Sequence, residues 1–286
     1  MPPLPISIIV PTLDEAAHIR VALEALGSLR DCGHEVIVVD GGSVDETFAI
    51  AQPHADHALA APRGRAIQMN VGASVARGRV LLFLHADCRL PQPALRAIGE
   101  AHAAGHRWGR FDVELVGRSR LLRLVATTMN ERSALTGIAT GDQAIFVDRA
   151  LFDRVGGFPP IPLMEDIAIS KRLRATAGKP ARLRQPVRAS GRRWDAHGAS
   201  RTIASMAGLR FAYWRGVDPE LLARRYYGRS AHRRATLVIF AKAPVPGRVK
   251  TRLATAIGAT EATAVYRELV QKTLDDAVAA RRAGVV

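Results

Sequence analysis

The chain has 286 residues, 48% of them hydrophobic, enough to bury the core of one large domain, or of one domain plus a fragment. No stretch approaches the roughly 18 apolar residues of a membrane span, and no basic-then-apolar leader opens the chain, so a cytoplasmic location is expected. The net charge of +15 is concentrated: residues 171–234 carry 17 Lys and Arg against three acids, Asp195, Asp218 and Glu220, while the rest is close to balance.

Ile6-Ser7-Ile8-Ile9-Val10 reads as a buried strand ending in Pro11-Thr12-Leu13-Asp14-Glu15. Thr12 or Asp14 can cap the following helix, which carries Ile19, Leu23 and Leu26 on one face. Val36 to Val39 form a second strand and deliver Asp40 to its carboxyl end, where Gly41-Gly42-Ser43 turns the chain into a helix. In open α/β sheets ligands bind at that edge, and glycines let them approach the backbone. A carboxylate there can accept from a ribose hydroxyl or from the N–H of a uracil-like ring, although Asp-Gly-Gly-Ser is also a common turn. Pro62 to Gly72 opens a helix through a basic turn, where Arg63 and Arg65 can meet a diphosphate. Val80 to Leu84 is a third strand and ends in His85-Ala86-Asp87. Three successive strands thus present carboxylates on one edge, the pattern of a nucleotide site with a metal nearby.

A helix is predicted from residue 91 to about 104, a half-buried strand over 110–117, a helix over 121–135 and a strand over 141–147. A Gly/Pro-rich loop at 156–162 then delivers Glu165 and Asp166 to the head of a helix, where the dipole favours carboxylates. Residues 206–227 interleave Met206, Leu209, Phe211, Tyr213, Trp214, Tyr226 and Tyr227 with arginines. That composition suits the interface of an acidic membrane, or core packing with a solvated arginine face. A new strand is predicted at 236–241, then a basic Gly/Pro loop to 253 and a helix over about 260–282.

The runs Val10 to Glu15, Val39-Asp40-Gly41-Gly42-Ser43-Val44-Asp45, His85-Ala86-Asp87, Met164-Glu165-Asp166 and Gly191-Arg192-Arg193-Trp194 resemble, in order and spacing, the motifs of family-2 glycosyltransferases. The resemblance spans residues 5–230. His-Ala-Asp and Gly-Arg-Arg-Trp are similar to a small bacterial subgroup associated with radical-SAM proteins and arsenosugar biosynthesis. It implies a GT-A fold over residues 1–230: an α/β, Rossmann-like, mostly parallel mixed sheet flanked by helices. It also implies inverting transfer of a sugar from a nucleoside-diphosphate sugar, expected to be UDP-linked, to a hydroxyl or carboxyl of a small molecule or lipid.

By the same resemblance, Pro11, Thr12, Asp14, Glu15, Asp40, Gly41, Gly42, Ser43, Arg63, Arg65, Gln68, Asn70, His85, Ala86, Asp87, Arg193 and Trp194 would bind the nucleotide sugar. Asp142 and Gln143 are placed to touch the donor sugar. Asp166 would be the general base, with Glu165 beside it for positioning or acceptor contact. Asp87 and His197 would hold Mg²⁺ or Mn²⁺. The family's Asp-x-Asp has a histidine here, which leaves His85 as a second ligand or a ribose contact, and the leading Gln of the Gly-Arg-Arg-Trp signature is missing. Residues 231–286 resemble a linker plus the incomplete start of a second GT-A-like, nucleotidyltransferase-related domain, with Lys242, Arg248, Lys250 and Arg252 as phosphate contacts.

The basic block invites an anionic partner, and peripheral contact with an acidic membrane is one expectation from it; an arginine habit (36 Arg to 5 Lys) is the plainer account. Nucleic acid is not an expected partner, because the block matches no binding motif and leaves the acidic strand ends unexplained. A nucleotidyltransferase or a non-catalytic nucleotide-sugar-binding protein is the alternative, and it would bind UDP without sugar transfer. Cys32 and Cys88 show no ligand spacing to histidines and read as reduced, structural thiols. The oligomeric state is not legible.

Overall fold

The structure is a computed structural model that describes residues 4–228, 239 and 241–282. It has two compact units, Met1–Gly228 and Arg229–Val286. The first begins as alternating strands and helices: β1 Ile6–Thr12, α1 Ala16–Glu24, α2 Gly27–Asp31, β2 Glu35–Asp40, α3 Thr47–Ala51, β3 His57–Ala60, α4 Arg65–Val75 and β4 Val80–Phe83. It continues with β5 Cys88–Arg89, α5 Ala94–Ala103, β6 Trp108–Val116, α6 Leu121–Thr136, β7 Ile145–Asp148, α7 Arg149–Arg154, α8 Glu165–Ala177 and β8 Ala181–Ser190. Helices α9 Arg192–His197, α10 Ala199–Trp214 and α11 Pro219–Tyr227 close the unit.

All eight strands form one sheet in the order β3-β2-β1-β4-β7-β6-β8-β5. Strand β1 pairs in parallel with both β2 and β4, β2 pairs in parallel with β3, and β7 runs antiparallel between β4 and β6. In this register Thr12 lies opposite Asp40 and Ile9 opposite Phe83, so the carboxyl ends of β1, β2 and β4 share one edge.

The unbroken apolar runs of β1, β2 and β4 follow from helices on both faces of the sheet. Alternate residues supply each face. Ile8, Val10, Val36, Val38 and Leu82 pack with Ile19 and Leu23 of α1 and Ile98 of α5. Ile9, Ile37, Val39, Leu81 and Phe83 pack with Met69 and Ala73 of α4, Phe152 of α7 and Ile169 of α8. A third cluster seats Leu209 and Leu222, from α10 and α11, on Leu163, Met164 and Ile167. Among the described residues no helix is long and apolar enough to cross a membrane.

Several elements differ from the sequence expectation. Residues 141–143 form a 3₁₀ turn held by reciprocal capping between Thr140 and Gln143, so the strand predicted from 141 begins only at Ile145. The short β3 and the arginine-rich β8 were not anticipated. In the second unit, α12 Thr251–Ile257 occupies part of the predicted loop and precedes α13 Ala259–Arg282. The Tyr266 hydroxyl bridges the backbone of Lys242, accepting from its N–H at 2.8 Å and donating to its carbonyl at 3.1 Å. The strand predicted at 236–241 lies outside the described residues except for 239 and 241, which are not in a strand.

Helix α4 approaches the sheet closely because Gly72 faces it: a Cβ there would lie 2.5 Å from Ile9 Cγ2 and 3.1 Å from Val39 Cγ2. Gly72→Ala is therefore expected to destabilise the fold by about 1–3 kcal/mol through overpacking. Gly99→Ala, inside α5 with nothing within 4 Å of a new Cβ, should stabilise by about 0.5–1 kcal/mol. Urea unfolding midpoints of the two variants test the contrast, and equal shifts would contradict it.

Candidate active site

The loops after β1 and β2 are laced into one surface. Asp40, 4% exposed, accepts from the backbone N–H of Gly42 at 2.9 Å and Ser43 at 2.8 Å, from the Ser43 hydroxyl, and from Thr12 Oγ1 at 3.4 Å. Ser43 Oγ accepts the Asp14 N–H at 2.9 Å, and Asp14 Oδ1 accepts the Val44 N–H at 2.9 Å. Thr47 Oγ1 accepts the Glu15 N–H, and Asp45 accepts the Ala16 N–H at the head of α1. Asp40 thus spends most of its acceptor capacity fixing a loop, and a ligand would meet the loop as much as the carboxylate. Gln68, 2% exposed, donates through Nε2 to the carbonyls of Thr12 and Val39 at 2.8 Å each and lies directly under Gly41.

The other residues of the basic turn divide between surface and scaffold. Arg63 is exposed. Arg65, the first residue of α4, pairs through Nε with Glu165 Oε1 at 2.8 Å. Asn70 joins the same helix to the Gly/Pro loop: its Oδ1 accepts the Phe158 N–H at 2.9 Å and its Nδ2 donates to the Phe158 carbonyl at 2.8 Å. These contacts bring α4 and the head of α8 together. Glu165 is 2% exposed and its Oε2 has no hydrogen-bond partner among the described residues. Burial pushes its carboxyl above the usual range, an effect the Arg65 charge partly offsets. Asp166, half-buried, accepts from the Gly141 N–H at 3.1 Å and from the Ile167 N–H at 2.7 Å. Two loops of the site carry left-handed backbone at non-glycine residues, Asp14 (φ 52°) and Met164 (φ 69°).

The end of β4 closes the group. His85 Nδ1 lies 3.3 Å from Asp142 Oδ1, and the ring fills the space a Cβ on Gly141 would take, 2.3 Å from His85 Cε1. Burial is the largest influence on His85 and opposes its charge, but the Asp142 hydrogen bond and the charges of Asp142 and Asp87 together hold the imidazole above its ordinary pKa. Burial likewise opposes ionisation of Asp142, and His85 brings its carboxyl below the usual range. The His85–Asp142 and Gly141–Asp166 contacts thus chain the end of β4 to the carboxylate at the head of α8.

Asp87, a quarter exposed on its side chain, has one oxygen 3.7 Å from Arg192 Nη2. Arg192 forms a two-pronged ion pair with Glu15, 177 residues away, one arm measuring 2.8 Å. Arg193 stacks over the Tyr226 ring at 4.0 Å, and Trp194 packs partly against the core. Pro11, Thr12 and Ala86 are buried at the base of the same loops.

Candidate metal ligands divide into two sets. His85, Cys88 and Asp142 place one ligand atom each within 4.8 Å of one another, which the sequence reading of Cys88 did not foresee. That nitrogen, sulfur and oxygen set is softer than magnesium takes. The partly exposed carboxylate of Asp87 is the hard donor that fits Mg²⁺ or Mn²⁺, with Arg192 as a competing positive charge. His197 ends α9, and its side chain lies outside the described part of the structure. Sequence reasoning also passed over Arg192 as a site residue, although it stands in the same Gly-Arg-Arg-Trp run.

A cavity of about 790 Å³ lies on the opposite edge, lined by Arg77, Arg79, Arg107, Asp148 and Arg149 among others. Its charges are largely engaged in place. Asp148 takes His102 at 3.1 Å and Arg107 at 3.3 Å, and Arg149 donates to the carbonyls of Gly78, Ala73 and Ala76 beyond and within the last turn of α4.

Residues 7–148 match the family described as Glycosyl transferase family 2. Curated relatives include the PGL/p-HBAD biosynthesis glycosyltransferases of Mycobacterium tuberculosis and Mycobacterium bovis. These are 34% identical over 165 residues, a match that covers 53% of this chain and 62% of the relatives. The chain thus spans less than two thirds of their length. Among solved structures, S. aureus TarS 1-349 in complex with UDP-GlcNAc superposes with a TM-score of 0.53 at 19% identity, over 65% of this chain and 58% of that one. Glucosyl-3-phosphoglycerate synthase from Mycobacterium tuberculosis, in complex with Mn²⁺, UDP and glucosyl-3-phosphoglycerate, gives a TM-score of 0.50 at 18% identity, over 64% and 70% of the two chains. At those identities the likeness is one of fold, and the fold is GT-A.

Asp40→Ala removes the acceptor of two backbone N–H groups and the Ser43 hydroxyl. It is expected to destabilise the first unit by about 1–3 kcal/mol, read as a lower urea midpoint. Asp40→Asn, which keeps one oxygen acceptor, should lose less. An unshifted midpoint for Asp40→Ala would mean the loop does not depend on this carboxylate.

Proposed function

We propose that this chain, whose residues 7–148 form a Glycosyl transferase family 2 domain, transfers a sugar from a nucleoside-diphosphate sugar to an acceptor hydroxyl or carboxyl, with inversion. The observation that carries the reading is the chain of contacts joining the end of β4 to Asp166 through Asp142, His85 and Gly141. It supports reading Asp87, at the end of β4, as the donor-side aspartate and Asp166 as the base.

In this mechanism the laced loop of Asp14, Asp40 and Ser43 forms the wall for the nucleoside. A UDP donor is the natural first choice, given the UDP-sugar complex of the fold relative TarS. Arg63, Arg65 and Arg193 face the diphosphate, and Arg192 orients Asp87 and Glu15. Asp87 would hold a Mg²⁺ or Mn²⁺, with His85 or His197 as the second ligand, and the ion when bound neutralises the departing diphosphate. Asp166 takes the proton from the acceptor, its orientation set by the Gly141 and Ile167 N–H groups. Glu165, pinned by Arg65, holds that helix head in register with the donor side.

The narrower reading places the chain in the subgroup linked to arsenosugar biosynthesis, on His85-Ala86-Asp87 and Gly191-Arg192-Arg193-Trp194. The acceptor is a small molecule or a lipid. Peripheral contact with an acidic membrane in the cytoplasm draws support from the exposed, mutually packed Phe211 and Trp214 of α10. The second unit is read as the opening of a second GT-A-like transferase domain, on its basic loop at 242–253 and the exposed Val265, Leu269, Leu274 and Val278 of α13.

Calorimetry with UDP, with and without Mn²⁺, tests the reading. Wild type is expected to bind, and Asp87→Ala to lose the metal dependence. Asp166→Asn should keep UDP affinity while sugar transfer or donor hydrolysis falls by about 10²–10⁴-fold. Failure of UDP and every other nucleoside diphosphate to bind would sink the assignment. UDP binding with no turnover on any acceptor would favour the non-catalytic alternative.

A further inference from the structure

Helix α6 carries a guanidinium that the fold leaves incomplete. Two nitrogens of Arg132, Nε and Nη2, are sealed from solvent and have no hydrogen-bond partner among the described residues. Other guanidiniums of the first unit find side-chain or carbonyl partners, although Arg110 Nε is likewise buried without one. Arg110 reaches Asp112 and the carbonyls of Phe111 and Asn130, Arg182 bridges Asp112 and Glu131, and Arg149 caps a helix end. Burial lowers Arg132 to about 10, so it stays a cation at neutral pH, and a buried cation without a partner is costly to keep.

A second arginine stands with it. Arg210 lies half-buried on α10, one residue from Leu209, which packs on Leu163, Met164 and Ile167 around the head of α8. Helices α6 and α10 touch. Arg132 feels the repulsion of Arg210, and the carboxylate that acts on both is Asp166. Asp166 does not complete the pair, because the hydrogen bonds it accepts come from the N–H groups of Gly141 and Ile167. Arg132 and Arg210 thus share Asp166 as the carboxylate that acts on them, whereas Asp142 acts on Arg65 and Arg193.

We infer that Arg132 and Arg210 form a subsite for an anionic group, a carboxylate or a phosphate, carried by the sugar acceptor. The planar fork of a guanidinium matches either oxyanion through two parallel hydrogen bonds. Clamped there, the acceptor would present its reacting oxygen to Asp166. This inference rests on the glycosyltransferase reading with Asp166 as base, and it adds the class of acceptor.

The full chain saturated with UDP, which occupies the diphosphate site, is titrated calorimetrically at fixed ionic strength with inorganic phosphate and, separately, with acetate. One of the two is expected to bind, and which one tells a phosphorylated acceptor from a carboxylate. Arg132→Met and Arg210→Met should each weaken that binding by about tenfold or more, with UDP affinity unchanged. Arg132→Lys should fall between. The thermal midpoint of Arg132→Met is expected to equal or exceed wild type, since an unpaired buried charge is removed, so lost binding cannot be mistaken for lost fold. The subsite is refuted if neither anion binds the UDP-bound protein, or if both methionine variants bind it like wild type. If UDP itself fails to bind, the donor reading falls, and the anion titration of the free protein still decides the subsite by the same comparison.

Discussion

The ion pair between Arg65 and Glu165 is the constraint on which the candidate site depends. Its carboxylate is almost fully buried, and a single guanidinium at 2.8 Å compensates it. Arg65 opens α4, which leans on the nucleotide-side strands, and Glu165 opens α8, which carries Asp166. Loss of either partner would strand the other charge, so the two helix heads are held together or not at all. Asn70 repeats the connection one turn on, gripping both the N–H and the carbonyl of Phe158. The heads of α4 and α8 are thereby parts of one frame, although about a hundred residues separate them.

The basic block reads differently once the chain is folded. Arg182 bridges Asp112 and Glu131, Arg188 meets Glu114, and Arg192 meets Glu15. Each of those acids lies outside residues 171–234, in the part of the sequence that is nearly neutral by itself. The segregation of charge along the chain is thus partly undone in space. Arg132, outside the block, and Arg210, within it, have no such ion pair among the described residues, and the carboxylate that acts on both is Asp166.

What was legible in the sequence was local. Strands β1, β2 and β4 announce themselves because a parallel strand covered on both faces must be apolar throughout, and their carboxylates follow at the ends. Strand β8 was missed because its arginines conceal a period of two: Ala181, Leu183, Val187 and Ala189 alternate with charged or polar residues, and Pro186 sits beside a register shift opposite Phe111 and Asp112. Alternation alone would have found it. The meeting of His85 with Asp142, of Arg192 with Glu15 and of Gln68 with two strand carbonyls was not readable, since each joins segments 29 to 177 residues apart through the topology of the sheet. Asp40 is expected at the site from its place at a strand end, but its internal hydrogen bonds are not readable, because they depend on the backbone path of Gly42 and Ser43.

Cys88 sits immediately after Asp87, 2% exposed, and burial raises its thiol well above the ordinary range. Oxidants and alkylating reagents attack the thiolate, so this sulfur is chemically quiet although it lies beside His85, Asp87 and Asp142. Cys32, exposed in the connection leading into β2, is at the far end of that strand from Asp40. Oxidative damage or a maleimide dye will therefore mark the back of the molecule first. The protein comes with a single addressable handle whose occupation leaves the carboxyl ends of β1, β2 and β4 untouched.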